Sequence, residues 1–187
     1  MKPIVHIPNA ILSTVAKDVK VFDKKLQKIL IDMKEALVAT KNPKGVGLAA
    51  PQIGLSLRIF ITKPNDKADI RAFINPHILD SKMSENTEDP PSRSASEGHG
   101  KMEGCLSVPN LWGKVHRASS ITLAYLDEKG TAHEDVFTGF LSTIIQHEID
   151  HINGILFVQR VLEQKGTLFE IVTDENGKEV FEEVTLK

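Results

Sequence analysis

Residues 139–153 constrain this chain more than any other stretch. Leu141, Ile144, Ile145, Ile149 and Ile152 recur at helical spacing and form one apolar face, and Gly154 follows as a stop signal. In the string His147-Glu148-Ile149-Asp150-His151 the same spacing sets two imidazoles four residues apart, one a turn above the other. Such a pair can bind one metal ion, and Glu148 beside it can handle protons for a water at that metal. The bland alternative is a helix with two surface histidines. Ile145 and Gln146 argue against it, because they leave the histidines on the edge of the apolar face.

A catalytic metal usually takes three protein ligands and keeps one position open. In metzincin proteases the third is a histidine six residues after the second; here Gly154 is in place, but the ligand position is Phe157. In gluzincins it is a downstream glutamate on a helix, and the nearest candidate, Glu170, lies in a β-prone segment. Cys105, in Glu103-Gly104-Cys105-Leu106-Ser107-Val108-Pro109, is the natural replacement, since thiolates bind divalent transition metals well. A single cysteine without context is more often a small buried hydrophobe. Gly104 and the polar approach to the cysteine weigh the other way. With one cysteine in 187 residues, an internal disulfide and a Cys-rich zinc module are both excluded.

The length suits one domain, burying about 70% of the extended chain's surface around a single core. The net charge is −2 and neither sign forms a long run, so bulk charge gives no basis for binding nucleic acid directly. The first residues show no secretory pattern and no run of 18 apolar residues occurs, so we expect a soluble, cytoplasmic protein with no membrane association.

Residues 22–40 read as a first helix through Leu26, Leu30, Met33 and Leu37, with Asp23 as cap and Asn42-Pro43-Lys44-Gly45 as stop. A loop of small residues, Gly45-Val46-Gly47-Leu48-Ala49-Ala50-Pro51-Gln52, leads to strands at 58–62 and 71–75. Residues 82–102 contain no Ile, Leu, Val or Phe and are expected to be a flexible polar insertion within one domain of residues 1–187. Residues 115–125 and 134–138 read as strands joined by the turn Asp127-Glu128-Lys129-Gly130. Residues 163–187 read as a C-terminal β-hairpin extension around Asp174-Glu175-Asn176-Gly177.

Three of these strings, Gly45 to Gln52, Glu103 to Ser107 and Gln146 to His151, resemble the motifs of peptide deformylase, in that family's order, within a likeness running from about Ile7 to Val161. The resemblance implies an α+β metalloenzyme, with antiparallel or mixed sheets packed around a central His-Glu-x-x-His helix and an N-terminal helix. It implies removal of the formyl group from nascent polypeptides that begin with formylmethionine, releasing formate. It further implies Cys105, His147 and His151 as metal ligands and Glu148 as general base and acid toward a metal-activated water. Gln52 and the Leu106 backbone N–H become the oxyanion donors. Fe²⁺ is the implied native metal, although Zn²⁺, Ni²⁺ and Co²⁺ also suit one thiolate and two imidazoles. Val46, Gly47, Gly104, Phe140, Thr143 and Ile144 are the candidate substrate-binding residues, because helix spacing sets Phe140, Thr143 and Ile144 one to two turns before His147 and the glycines admit a close backbone. By the family pattern Arg117 pairs with Asp150.

The chain departs from that pattern in three places. Its 82–102 segment is longer than in compact members. Trp112 stands where many carry an arginine that touches the substrate backbone. Residues 163–187 carry seven acidic and three basic side chains, where compact members end in a helix linked to ribosome docking. Any ribosome association is therefore expected without a basic C-terminal helix. Two other readings are a metal-dependent peptidase and an inactive metal-binding interaction protein.

Overall fold

The computed structural model describes residues 2–41, 43–83, 101–175 and 177–184. The first helix, α1 (Lys24–Ala39), starts where Asp23 accepts from the backbone N–H groups of Lys25 and Leu26, satisfying two of the donors that a helix start leaves free. It buries Leu26, Leu30, Met33 and Leu37. The loop of small residues becomes a short strand, β1 (Gly47–Ala49), followed by a 3₁₀ turn (Ala50–Ile53). Then come β2 (Ile59–Thr62), β3 (Arg71–Lys82), β4 (Lys101–Cys105), β5 (Val108–Val115), β6 (Ser120–Leu126) and β7 (Ala132–Thr138). The histidine-bearing helix is α2 (Gly139–Ile152), and α3 (Phe157–Glu163), β8 (Leu168–Thr173) and β9 (Glu179–Glu183) complete the order.

The strands form two antiparallel sheets, β1-β2-β3-β6-β7 and β4-β5-β8-β9. β1 and β4 are edge strands, and they carry two of the three motifs. The larger sheet is packed on both faces. On one, Leu48, Ile59, Ile61 and Ile74 meet α1; on the other, Phe60, Phe73, Ile121 and Leu123 meet Ile145, Ile149 and Ile152 of α2. A third cluster joins Leu12, Val108 and Val115 to Phe157 and Val161 of α3, and Cys105 belongs to it. The antiparallel sheets with few helices agree with the expected α+β architecture.

Three elements differ from the sequence reading. Residues 115–125 are not one strand: β5 ends at Val115 in the smaller sheet and β6 starts at Ser120 in the larger. The chain changes sheets here because Gln146 takes the ladder's place, accepting from Ala118 N–H at 3.0 Å and donating to Ala118 C=O at 2.8 Å. β3 runs past residue 75 to Lys82, since its second half gains backbone pairing with β6 and does not depend on apolar side chains. Lys82 and Met102 therefore lie in strands, and residues 84–100 of the expected insertion lie outside the described residues. α3 begins six residues past His151, and only its burial of Phe157 and Val161 marks it as an element. The 163–187 segment starts on the last residue of α3; its two strands pair across the Gly177 turn, and β8 joins β5 at Trp112↔Phe169.

Candidate metal centre

Helix α2 is held from several sides. Its Ile145 and Ile152 are fully buried, Ser142 Oγ donates to Ala118 C=O at 2.9 Å, and the Gln146 clamp ties its middle to the β5–β6 crossing. Cys105 arrives on β4. The β4–β5 register slips between Gly104↔Trp112 and Cys105↔Val108, an irregularity that turns the chain sharply and re-aims the cysteine. Ser107 N–H then lies 3.4 Å from Cys105 Sγ.

The three expected ligands come together. The donor atoms of Cys105, His147 and His151 all lie within 4.8 Å of one another, and Cys105 Sγ is 3.1 Å from His151 Nε2. His147 Nδ1 is 2.9 Å from Glu103 Oε2, which leaves Nε2 as the nitrogen available to an ion. Burial would raise the Cys105 thiol, but the charges and hydrogen bonds of His151 and His147 outweigh it and hold the thiol well below its ordinary value. A thiol held well below its ordinary value beside two imidazoles is a donor set that fits a divalent transition metal.

Glu148 is 3% exposed, and its Oε2 has no hydrogen-bond partner among the described residues. Burial, only partly offset by the two histidines, raises its carboxyl to about 7. Gly47 of β1 makes room for this side chain: a Cβ there would lie 2.3 Å from Glu148 Oε1. Gln52, buried in the 3₁₀ turn, accepts from Ala49 N–H at 2.8 Å through Oε1, and that bond turns Nε2 toward Cys105 Sγ, 3.5 Å away. The other candidates sit at different depths. Val46, Gly104 and Leu106 are half-buried, and Thr143 and Ile144 are buried in α2. Phe140, at the open end of that helix, is half-exposed at 51%. Trp112 lies against Gly104, where an added Cβ would meet its ring at 2.9 Å, and Phe181 of β9 meets the Trp112 ring in a T-shaped contact.

Sequence reasoning missed two residues. Glu103 lies within a motif string without a role of its own there, yet it is the acceptor that orients His147. Burial would raise its carboxyl, and hydrogen bonds from Arg117 and His147 reverse this and bring it to about 2. The signal was available, because a metal-ligating histidine commonly gives its second nitrogen to a carboxylate and Glu103 stands two residues before the cysteine. Arg117 does meet Asp150, Nη1 to Oδ2 at 2.5 Å, but it also holds both oxygens of Glu103 at 2.9 Å. Arg160 of α3 is the second residue missed, donating to Asp150 Oδ1 at 2.7 Å.

Known proteins match this geometry and sequence. A family model described as polypeptide deformylase matches residues 1–166. Peptide deformylase 1 of Bacillus cereus is 39% identical over 158 residues, covering 84% of this chain and 90% of its own. The crystal structure of a peptide deformylase from Legionella pneumophila superposes with a TM-score of 0.73 at 37% identity, covering 86% of this chain and 85% of that one. A peptide deformylase of Acinetobacter baumannii solved with Met-Ala-Ser bound has a TM-score of 0.71 at 33% identity, covering 86% of this chain and 98% of its own. With its fold, its Cys-His-His cluster and its sequence in agreement, the chain belongs to the polypeptide deformylase family, metal-dependent hydrolases that remove the formyl group from nascent polypeptides.

Proposed function

We propose that this chain removes the N-terminal formyl group from formylmethionyl nascent polypeptides at a metal held by Cys105, His147 and His151. One observation carries the reading: a buried carboxyl with a value of about 7, Glu148, stands next to three converging metal donors. A general base is most effective when its pKa lies near the working pH. Fe²⁺ is the proposed native ion, and Zn²⁺, Ni²⁺ or Co²⁺ fit the same donors. A divalent ion there supplies Lewis acidity, which polarises a carbonyl and lets water act as a nucleophile near neutral pH.

The chain's own groups do the rest. Glu148 takes a proton from the attacking water and returns it to the departing amine nitrogen, so one water and one formamide give formate and a free amine. Gln52 Nε2 and the Leu106 backbone N–H donate to the oxygen on which negative charge develops, and losing one such donor typically costs about 10²-fold or more in rate. Gln52 suits this role because its Oε1 is already engaged by Ala49, so the amide cannot turn its donor away without losing that bond. Gly47 and Gly104 bring the backbone close to the substrate, and Val46, Phe140, Thr143 and Ile144 line the pocket for the methionine side chain.

We place this activity in the cytoplasm, in one catalytic domain of residues 1–187 with the polar insertion and the C-terminal hairpin as appendages. No helix among the described residues is long and apolar enough to cross a membrane. The acidic tail makes direct nucleic-acid binding unsuitable, so contact with the ribosome would use another surface. The test is formate release from a formyl-Met peptide by protein purified without oxygen and loaded with Fe²⁺. Glu148→Ala should keep the metal and lose formate release. Metal-loaded wild type that releases no formate, or a Glu148→Ala variant as active as wild type, overturns the reading.

A further inference from the structure

We propose that Arg160 is a positioning residue for the metal centre: by taking Asp150 Oδ1 it keeps Arg117 on Glu103, and Glu103 in turn holds the His147 imidazole. The proposal rests on His147 being a metal ligand, as in the proposed function.

Four charged side chains form a continuous chain behind His147. Glu103 Oε2 lies 2.9 Å from His147 Nδ1, and Arg117 gives Nε and Nη2 to the two Glu103 oxygens at 2.9 Å each. The third guanidinium nitrogen, Nη1, goes to Asp150 Oδ2 at 2.5 Å, and Arg160 reaches Asp150 with Nη2 at 2.7 Å from Oδ1 and Nε at 3.1 Å from Oδ2. The side chains of Glu103, Arg117 and Asp150 are only 7%, 8% and 8% exposed. Two carboxylates facing Arg117 alone would leave one negative charge uncompensated where water scarcely reaches. Arg160 supplies the second positive charge, and a buried charge left without its partner is strongly unfavourable.

The connection to the metal follows from how Arg117 is shared. Each of its three nitrogens is engaged, two on Glu103 and one on Asp150. Without Arg160, Arg117 is the cation left on Asp150 among the described residues, and any shift of that fork toward Asp150 weakens its grip on Glu103. The His147 ring then loses the acceptor that orients it. Helix α3 is a firm support for such a contact, since Phe157 and Val161 anchor it in the third core cluster. Arg160 is also steadied from its own helix by Glu163, 3.0 Å from Nη1.

The experiment measures the rate at which Co²⁺-loaded full-length protein loses its metal to a chelator, with the Co²⁺ absorption bands recording the ligand geometry. Arg160→Met, which keeps the aliphatic stem, should release metal about tenfold faster, the lower end of the 10–100-fold effect usual for groups that orient metal ligands. Arg160→Lys, which keeps the charge but not the fork, should fall between it and wild type. In an Asp150→Asn background the same Arg160→Met change should add almost nothing, because the carboxylate through which it acts is gone. A release rate within twofold of wild type, unshifted Co²⁺ bands, or an undiminished effect in the Asp150→Asn background would overturn the proposal. Should Arg160→Met not fold, Arg160→Lys decides it: a severalfold faster release supports the proposal, and a wild-type rate overturns it. Failure of the ligand reading itself would show separately, as His147→Ala retaining wild-type metal affinity.

Discussion

Gly47→Ala isolates the contact between β1 and α2 at the centre of the site. The new Cβ would stand 2.3 Å from Glu148 Oε1 and 2.8 Å from its Cδ, whereas ordinary contact begins at 3.4 Å. The carboxylate must therefore retreat by about 1 Å, and it is buried on a helix pinned by Ile145 and Ile149 on either side. Gly47 has no positive φ, so alanine takes up the backbone without strain and the effect belongs to the side chain alone. With Glu148 as the proposed general base, a misplacement of this size costs about 10²-fold, equivalent to about 2.7 kcal/mol of transition-state stabilisation. Overpacking adds a stability loss of about 1–3 kcal/mol, or a Tm lower by roughly 2–12 °C for a chain of this length. Formate release under steady-state conditions, with metal content measured on the same sample, should show the loss mainly in kcat. In a Glu148→Ala background the Tm penalty should vanish, because the atoms it would strike are absent. A Gly47→Ala enzyme with full metal and a kcat within threefold of wild type would refute the reasoning, as would a Tm penalty that persists without the Glu148 side chain.

Two further outcomes follow from the same centre. Cys105→Ser should weaken metal binding and formate release together, and oxidation of the thiol should do the same; a serine variant with wild-type affinity and rate would remove Cys105 from the ligand set. In metal-stripped protein Glu148 titrates at about 7 in the folded chain against an ordinary glutamate value of 4.5, so folding takes up a proton between those values. Its stabilising contribution is complete below pH 4.5 and lost as the pH rises through 7. Metal-stripped Glu148→Gln should accordingly be more stable than metal-stripped wild type at about pH 8, by on the order of 3 kcal/mol, with the gap closing as the pH falls toward the ordinary glutamate value. Urea titrations at the two ends of that range check this, and equal gaps at both would contradict it.

The parts of the site that could be read without coordinates are those written in short spacings. Two histidines four residues apart share a helix face wherever that helix packs, and Asp23 caps α1 through neighbours two and three residues away. The unread parts are contacts between distant positions. Glu103 meets His147 across 44 residues, Arg117 meets Glu103 across 14, and Arg160 meets Asp150 across 10. The strand reading of residues 115–125 failed for a related reason. Its β-prone residues are real, but side chains of α2 satisfy the backbone at Ala118, and nothing local to that segment announces them.

By itself the sequence determined which groups the chemistry has at its disposal: one thiol, an imidazole pair in helical register, an adjacent carboxyl, and an amide after a run of small residues. Residue type and local periodicity are enough for that, because side-chain chemistry and helix geometry travel with the chain. Only the tertiary structure decided what state those groups are in. Burial beside Gly47 makes Glu148 a carboxyl of about 7, and the approach of His151 and His147 holds the Cys105 thiol well below its ordinary value. Arg117 and Arg160 neutralise carboxylates that the fold has taken out of water. Desolvation and Coulomb interactions depend on distance through space, and two sheets closing on one helix set those distances.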